Sequence, residues 1–254
     1  MSSDDAGEDR ILIASAARVS WQCTDSGSGR FAAFHEAIST LAVDEQIPTA
    51  TLRYSSWVHT TPFATESDEF YGFLDPAQGL GPAGDLQGAI ATAVDLVESD
   101  AGSDDDEHNY HIIFVDTAAP SPICTDGCEN DNLNEFEEDA GGVCEVEQDE
   151  IPDDEYVDFD APCTDYNLFD TLSERLQDLE AAAPNMEIHF ALAIDDEESI
   201  ESVCGDTSDT GFDFAENADH ARELFSDLLS EIDAGGEFVD TAPEDLNLEE
   251  ILNL

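Results

Sequence analysis

The chain has 254 residues and a formal net charge of −57, which arises from 63 Asp and Glu against six Arg and no Lys. Six scattered Arg cannot form a basic patch, so the charge excludes nucleic-acid binding through phosphates. Disorder is disfavoured as well, because 41% of the residues are hydrophobic and 14 are Phe. The length fits one large domain or two small ones and is sufficient for a sizeable core under a strongly acidic surface.

An acidic surface without Lys predicts a protein from an extreme halophile, because molar salt shortens the screening length to about 3 Å and suppresses carboxylate repulsion. Acidic clusters in such a chain are therefore weak indicators of metal sites. No apolar run approaches the ~20 residues of a membrane helix, and the N-terminus lacks a signal-peptide pattern. We expect no membrane insertion, and a location in the cytoplasm of a halophile or in a virion.

The first part of the chain predicts a strand, a helix and a hairpin. Residues 1–9 are polar and predict a flexible acidic N-terminus, whereas ILIASA (11–16) is wholly apolar, as is typical of a strand buried on both faces of a parallel sheet. TATLRYSSWVHTTPF (49–63) is rich in Thr and aromatic residues and predicts two paired strands. A helix between them is indicated by apolar residues spaced three and four apart, namely Phe31, Phe34, Ile38 and Leu41.

The middle of the chain contains a helix, a strand and an insertion. Residues 86–97 carry apolar side chains at helical spacing, and HIIFVD (111–116) predicts a buried strand. Residues 118–165 are crowded with Asp, Glu, Asn, Gly and four Cys, and contain little apolar material to bury. We interpret them as an acidic, cysteine-rich insertion and not as a separate domain.

Regular alternation returns in the last part of the chain. Residues 168–179 and 221–232 predict helices, EIHFALAI (187–194) predicts a buried strand, and FDFA (212–215) predicts a short strand. Residues 235–254 predict an acidic tail able to form a short helix. Strands that alternate with helices at this pitch predict an α/β fold with a doubly wound, mostly parallel sheet flanked by helices.

Five segments of the sequence occur in the same order as the structural elements of one protein family. GPAGDLQGAIATAVDLV is similar to a loop and helix usually written around Gly-Gly-Thr-Asp-Leu, and HIIFVDTAAPSP to a strand that ends in Thr-Asp-Gly. MEIHFALAID, TGFDFAENADHARELFSDLLSEI and the hairpin segment are similar to its fifth strand, its last strand and helix, and its edge hairpin. Over residues 10–234, apart from the insertion, the chain resembles a von Willebrand factor A (VWA) domain, which implies a Rossmann-like sheet.

The resemblance implies a metal-ion-dependent adhesion site at the carboxyl ends of the central strands, where open α/β sheets bind ligands. The family pattern is Asp-x-Ser-x-Ser in the first loop, Thr in the second and Asp in the third, around a hard cation such as Mg2+. An altered cluster in this chain would use Asp25, Ser28, Asp85 and Asp116.

The chain departs from that pattern in each loop. TDSGSG (24–29) needs a one-residue deletion to match and lies far from ILIASA, although the loop becomes short if VSWQCT (19–24) is the first strand instead. Gly84 stands at the Thr position, and Thr117 stands at the position of the metal Asp, directly after Asp116. Because a strand alternates its side chains between faces, this exchange redirects the carboxylate. We therefore expect a degenerate site that holds neither Mg2+ nor another cofactor.

Four of the six Cys fall within the insertion, and a zinc site, a redox pair and disulfides compete for them. Zinc favours paired Cys-x2–4-Cys units, and a redox pair has two intervening residues at a helix start, so neither pattern fits well. Disulfides suit a poorly buried insertion because they restrict the unfolded chain. We expect Cys23 and Cys204 to be buried thiols, and disulfides among the remaining four, which are Cys124, Cys128, Cys144 and Cys163.

No residue is indicated as catalytic. ENDNLNEFEED (129–139) has oxygen ligands enough for Ca2+ but lacks the spacing of an EF-hand loop, so calcium is a minority interpretation. Only His108 and His111 are close together among the six His, and His189 alternates within a strand and is expected to be packed. A nucleophile elbow, a phosphate loop and a dinucleotide glycine pattern are all absent from the sequence, which favours a protein that is not an enzyme.

These observations favour a non-enzymatic protein–protein interaction or structural module of VWA type, adapted to high salt and built into a halophilic virion or another extracellular assembly. One alternative is an intracellular adaptor of an AAA+ ATPase of the MoxR kind. A divalent-cation-dependent adhesion protein is a third hypothesis, and a thiol oxidoreductase is the distant enzyme alternative.

Overall fold

The computed structural model describes residues 8–17, 21–25, 27–55, 58–65, 70, 84–101, 108–120, 168–183, 185–204 and 214–252. The insertion predicted over 118–165 lies outside these residues, except for 118–120. All four cysteines predicted to form disulfides, Cys124, Cys128, Cys144 and Cys163, are also outside the described part of the chain, as is the calcium candidate at 129–139.

Six strands and seven α-helices are present in the described ranges. The strands are β1 (Glu8–Ala16), β2 (Thr49–Tyr54), β3 (Val58–Thr60), β4 (His108–Asp116), β5 (Met186–Ala193) and β6 (Phe238–Thr241). The helices are α1 (Trp21–Thr24), α2 (Gly29–Ala37), α3 (Leu86–Ala101), α4 (Leu168–Ala182), α5 (Glu197–Cys204), α6 (Phe214–Ser230) and α7 (Leu248–Ile251). A π-helix (Ile38–Asp44) continues α2, and a 3-10 turn (Pro243–Asp245) follows β6.

The strands form one sheet in the order β3-β2-β1-β4-β5-β6. All neighbours are parallel except β2 and β3, which pair antiparallel as the predicted hairpin. Ile13 of β1 lies between Thr51 of β2 and Ile113 of β4, so these apolar strands form the middle of the sheet. The predicted α/β fold with a doubly wound, mostly parallel sheet is confirmed.

Both faces of the sheet are covered, which explains why the central strands are apolar throughout. Leu12 and Ala14 of β1 face a core formed with α3, α4 and α6, while Ile11 and Ile13 face a second core formed with α2, the π-helix and α7. The predicted helix after β1 buries Phe34, Ile38 and Leu41, which confirms its apolar stripe. Within the described residues, no helix combines the length and the apolarity that a membrane span requires.

The region after α6 differs from the sequence prediction. A strand was expected at 212–215, but Phe214 is the first residue of α6, and the last strand of the sheet is β6, beyond that helix. The residues after β6 pack against α2: a side chain on Gly29 would lie 2.7 Å from the backbone of Pro243 and Glu244. Part of the segment predicted as a tail therefore belongs to the sheet and to the second core.

Parallel strands bring their carboxyl ends to one edge of the sheet. We call this edge the carboxyl-end rim, and it comprises residues 24–25, 27–29, 55, 84–85, 116–120 and 194–196. It contains every residue of the candidate metal cluster.

Candidate site at the carboxyl-end rim

Asp25 caps the N-terminus of α2. Its Oδ1 accepts a hydrogen bond of 2.6 Å from the backbone N–H of Gly29, and its carbonyl accepts one of 2.9 Å from the N–H of Ser28. A carboxylate at this position satisfies a backbone donor that has no partner within the helix. Ser28 adopts a left-handed conformation with φ of 56°, and its hydroxyl makes no capping hydrogen bond.

The second oxygen of Asp25 faces a buried arginine. Arg30 Nε lies 3.3 Å from Asp25 Oδ2, and both side chains are 0% exposed. The guanidinium carbon of Arg30 also lies 4.8 Å from the ring centroid of Phe31, a cation–π distance. Burial raises the pKa of Asp25 to about 6, while Arg30 and the Gly29 N–H oppose that rise. Oδ1 of Asp25 therefore accepts a hydrogen bond, whereas Oδ2 has an ion-pair contact with Arg30 and no hydrogen bond among the described residues.

Asp85 caps α3 in the second loop. Its N–H donates to the carbonyl of Ser55 at 2.8 Å, and its Oδ1 accepts from the N–H of Gly88 at 2.7 Å. Burial raises its pKa to about 6, opposed only by the Gly88 hydrogen bond. A Cβ on Gly88 would collide with the Asp85 carboxylate, which explains why a glycine is found in the first turn of this helix.

Asp116 ends β4 and is fully buried. Its Oδ1 accepts from the backbone N–H groups of Thr117 at 2.7 Å and Ala118 at 3.3 Å, and its Oδ2 accepts from the Tyr54 hydroxyl at 3.1 Å. Tyr54 belongs to the core under α3, α4 and α6. The carboxylate thus points toward that core layer and fixes the loop after β4.

The structure brings Asp25, Ser28, Asp85 and Asp116 to the same rim but gives each a separate role. Asp25 and Asp85 cap different helices, Asp116 binds its own loop and Tyr54, and Ser28 is joined to Asp25 through the backbone. Across the described ranges, no three His, Cys, Asp or Glu come close enough to hold one metal ion. Asp25, Asp85 and Asp116 therefore do not meet at one point as joint ligands of a cation, and an empty site stays a prediction.

A disulfide connects the first loop to the region after β5. Cys23 of α1 is bonded to Cys204 of α5, with their Cα atoms 5.7 Å apart. The prediction that both residues are buried thiols is wrong: Cys204 is exposed, and Cys23 is half-buried. The two positions are 181 residues apart in sequence, so neither local pattern nor spacing indicated the bond. The even number of Cys was a weak signal. If the four cysteines of the insertion pair among themselves as predicted, Cys23 and Cys204 are the two that remain.

A second link joins the same two loops. The N–H of Asp195, just after β5, donates to the carbonyl of Thr24 at 2.7 Å. The charge of Asp195 is also close enough to Asp25 to raise the pKa of that carboxyl group further. The loops after β1 and β5 therefore meet across the end of β4.

Arg30, which directly follows the rim segment 27–29, is the residue of this site that sequence reasoning missed. It follows TDSGSG directly, and Arg is rare in this chain, but its burial depends on how α2 is oriented against the sheet.

The histidines are arranged as expected in one respect, because His189 is 2% exposed. His108 and His111 do not act as a pair: His108 Nε2 lies 3.2 Å from Arg10, whereas His111 Nδ1 lies 3.3 Å from Glu187.

The chain matches no protein-family model and no curated protein sequence. Among solved structures, it is similar to a mutant of the PilB minor pilin from Streptococcus sanguinis, with a TM-score of 0.51 and 9% identity over 99% of this chain and 60% of the pilin. It is also similar to the vWF domain of the type V pili tip protein Mfa5 from Porphyromonas gingivalis, with a TM-score of 0.50 and 10% identity over 98% of this chain and 95% of that domain.

These similarities show that the chain has a VWA-like fold. The chain spans less than two thirds of the length of the pilin but nearly all of the Mfa5 domain. Because the sequence identities are only 9% and 10%, the similarity concerns the backbone arrangement alone. The roles of individual side chains rest on the contacts described above.

Proposed function

We propose that this chain is a non-enzymatic protein–protein interaction module of VWA type that forms a structural part of an assembly outside the reducing cytoplasm, such as a halophilic virion. The observation that carries the proposal is the fold, which matches a domain of a pilus tip protein over nearly the whole length of both. A pilus is an extracellular protein assembly, so the same fold serves a building role there.

The chemistry of the rim supports an interaction role. Its buried carboxylates act as helix caps and loop anchors, and two of its loops are joined by a disulfide. Of the rim residues, Gly27 and Asp196 are exposed and Ser28, Gly29 and Asp195 are partly exposed, so these are the positions at which a partner would contact this edge. The cation-dependent adhesion hypothesis is less favoured because Asp25, Asp85 and Asp116 do not form a group of three carboxylates around one point.

The disulfide also separates the two settings considered for the module. Structural disulfides persist in oxidising surroundings and are rare in the cytosol. Cys23–Cys204 therefore favours an extracellular or virion-borne protein over an intracellular adaptor of an AAA+ ATPase. No described residue argues specifically for the adaptor.

The setting is tested by purifying the protein from its native source in molar KCl with a thiol-blocking reagent present from lysis onward. We expect Cys23 and Cys204 to be recovered as one disulfide-linked peptide pair by mass spectrometry, and the protein to sediment with a virion or an extracellular assembly. Free, alkylated thiols together with a co-purifying ATPase would overturn the proposal in favour of the adaptor. A parallel lysate with reductant serves as the control for peptide recovery.

The proposed adaptation to high salt rests on the charge of −57. In tens of millimolar salt the screening length grows toward ~30 Å, so the carboxylates repel one another across the whole domain. We expect the fold to loosen on dialysis from molar KCl to that range and to recover when salt is restored. A circular dichroism melt that is unchanged across the range would contradict the adaptation.

A further inference from the structure

Arg30 is a fully buried cation in a chain with very few cations. The protein has six Arg against 63 Asp and Glu, yet the Arg30 side chain is 0% exposed. By contrast, Arg222 binds Asp219 and Asp240 at the surface, where its side chain is 38% exposed. Burial of a guanidinium costs several kcal/mol unless a counter-charge accompanies it, so Arg30 has a specific partner.

That partner is the carboxylate at the start of the first loop. Asp25 Oδ2 lies 3.3 Å from Arg30 Nε, and the carboxylate of Asp195 approaches the same region from the end of β5. The loops after β1 and β5 are joined here by the hydrogen bond from the Asp195 N–H to the Thr24 carbonyl, and Asp25 carries the negative charge that contacts Arg30. In the family that the chain resembles, the corresponding loop aspartate faces a divalent cation.

We propose that the Arg30 guanidinium is the resident cation of this rim and takes the place that a divalent metal ion would hold beside Asp25. The guanidinium is attached to the helix that Asp25 caps, five residues further along the chain. Its position is therefore fixed by folding of α2 and does not depend on the concentration of any ion. The proposal therefore predicts that folding of the first loop does not depend on a metal ion and that the fixed positive charge repels a metal ion from Asp25.

The local packing supports this placement. Phe31 lies under the guanidinium at a cation–π distance, which stabilises a partly desolvated arginine better than a lysine. Gly29 allows the start of α2 to approach the backbone of Pro243 and Glu244, so the helix that carries Arg30 is held against the end of the chain. Both contacts fix the arginine with its charge directed at Asp25.

The test is a double-mutant cycle measured by urea unfolding in molar KCl, with either excess chelator or excess Mn2+. The variants are Arg30→Ala, Asp25→Asn and the two combined, and Arg222→Ala is the matched control for loss of an arginine. We expect the wild type to unfold at the same urea concentration with chelator and with Mn2+. Arg30→Ala should unfold at a clearly lower urea concentration than Arg222→Ala, and Mn2+ should restore part of that loss.

Addition of Asp25→Asn to Arg30→Ala should restore much of the unfolding midpoint and abolish the response to Mn2+, because no uncompensated buried carboxylate remains. If Arg30→Ala does not fold, folding of the double variant supports the proposal and failure of both contradicts it. Three further results would overturn it: stabilisation of the wild type by Mn2+, equal effects of Arg30→Ala and Arg222→Ala, or an Arg30→Ala variant that is indifferent to Mn2+.

Discussion

Two buried aspartates on the same rim show how different surroundings direct one kind of side chain. Asp25 and Asp85 each cap a helix through Oδ1, and burial raises the pKa of each to about 6. Asp25 is accompanied by the buried cation Arg30, whereas only the Gly88 hydrogen bond opposes the rise in the pKa of Asp85. In the first loop, Asp25 forms an ion pair with Arg30. In the second loop, Asp85 caps α3 and its charged form is disfavoured by burial.

The comparison teaches that loops with the composition of a metal site can be structural. A carboxylate at a helix N-terminus satisfies backbone donors whether or not a cation is near. A cation is needed only where a buried negative charge has no positive charge beside it. At Asp25, Arg30 supplies part of that compensation, although burial still raises the pKa to about 6; at Asp85 only a backbone hydrogen bond opposes the effect of burial.

The largest effect is expected at the tether of the first loop. The double substitution Cys23→Ser/Cys204→Ser removes a cross-link that spans 181 residues. Chain entropy for a loop of that length corresponds to about 5 kcal/mol of unfolding free energy. Urea unfolding in molar KCl measures the loss.

Hydrogen exchange on the same variant separates the two loops. Protection should fall in residues 21–37, which contain the Asp25 loop, and should change little at the start of α3, where Asp85 is not tethered. Equal loss of protection in both regions would indicate that the disulfide stabilises the whole domain and not the first loop in particular.

The second prediction is that substitution of a buried residue, Asp85, stabilises the protein, whereas most substitutions of buried residues destabilise it. Asp85→Asn keeps the side-chain oxygen that accepts from Gly88 and removes the buried charge, since Asn is also a good N-cap. Burial raises the pKa of Asp85 from its ordinary value of 3.8 to about 6, so its contribution to stability is present below pH 4 and is lost as the pH rises through 6. We expect Asp85→Asn to be more stable than the wild type at neutral pH by up to about 3 kcal/mol.

The advantage of Asp85→Asn should shrink as the pH falls from 6 to 4, and chemical denaturation at a series of pH values in molar KCl tests this. Asp25→Asn is the matched variant. It should destabilise at neutral pH because Arg30 is left buried without its partner. A gain in stability from Asp25→Asn would remove the difference between the two loops.

The smallest effect concerns the third loop. Tyr54→Phe removes the hydroxyl that donates to Asp116 Oδ2 but leaves the two backbone donors to Oδ1 in place. A hydrogen bond to a charged group contributes about 1.5–3 kcal/mol, and we expect a loss in the lower part of that range. Tyr110→Phe, which removes a 2.9 Å hydrogen bond to the partly exposed Asp100, should cost less. A greater cost for Tyr110→Phe would argue against a special role for Asp116 in holding the loop.

Apolar periodicity predicted most of this fold because it reports burial directly. ILIASA and HIIFVD are buried on both sides, and the stripe from Phe34 to Leu41 covers one face of the sheet. β6 was missed because it has only four residues, all at least partly exposed, which leaves no alternation to recognise. The π-helical continuation of α2 depends on tertiary packing and has no local signature.

The site was harder to predict because its decisive contacts are not local in sequence. The resemblance to VWA domains singled out Asp25, Asp85 and Asp116, and the exchanged order of Asp116 and Thr117 predicted a redirected carboxylate; the structure places that carboxylate against Tyr54 and its own loop. Which side chain neutralises Asp25, and which cysteine lies beside Cys23, depends on how α2 and α5 pack against the strand ends. No spacing rule encodes those distances.

The central claim is that internal contacts hold the carboxyl-end rim together and that no divalent cation is required. Isothermal titration of chelator-treated protein with Mn2+ in molar KCl, on the wild type, Asp25→Ala and Asp116→Ala, tests it most directly. The account predicts no stoichiometric site in the wild type and no loss of binding heat in either variant. A single site of micromolar affinity that disappears in Asp25→Ala or in Asp116→Ala would contradict it.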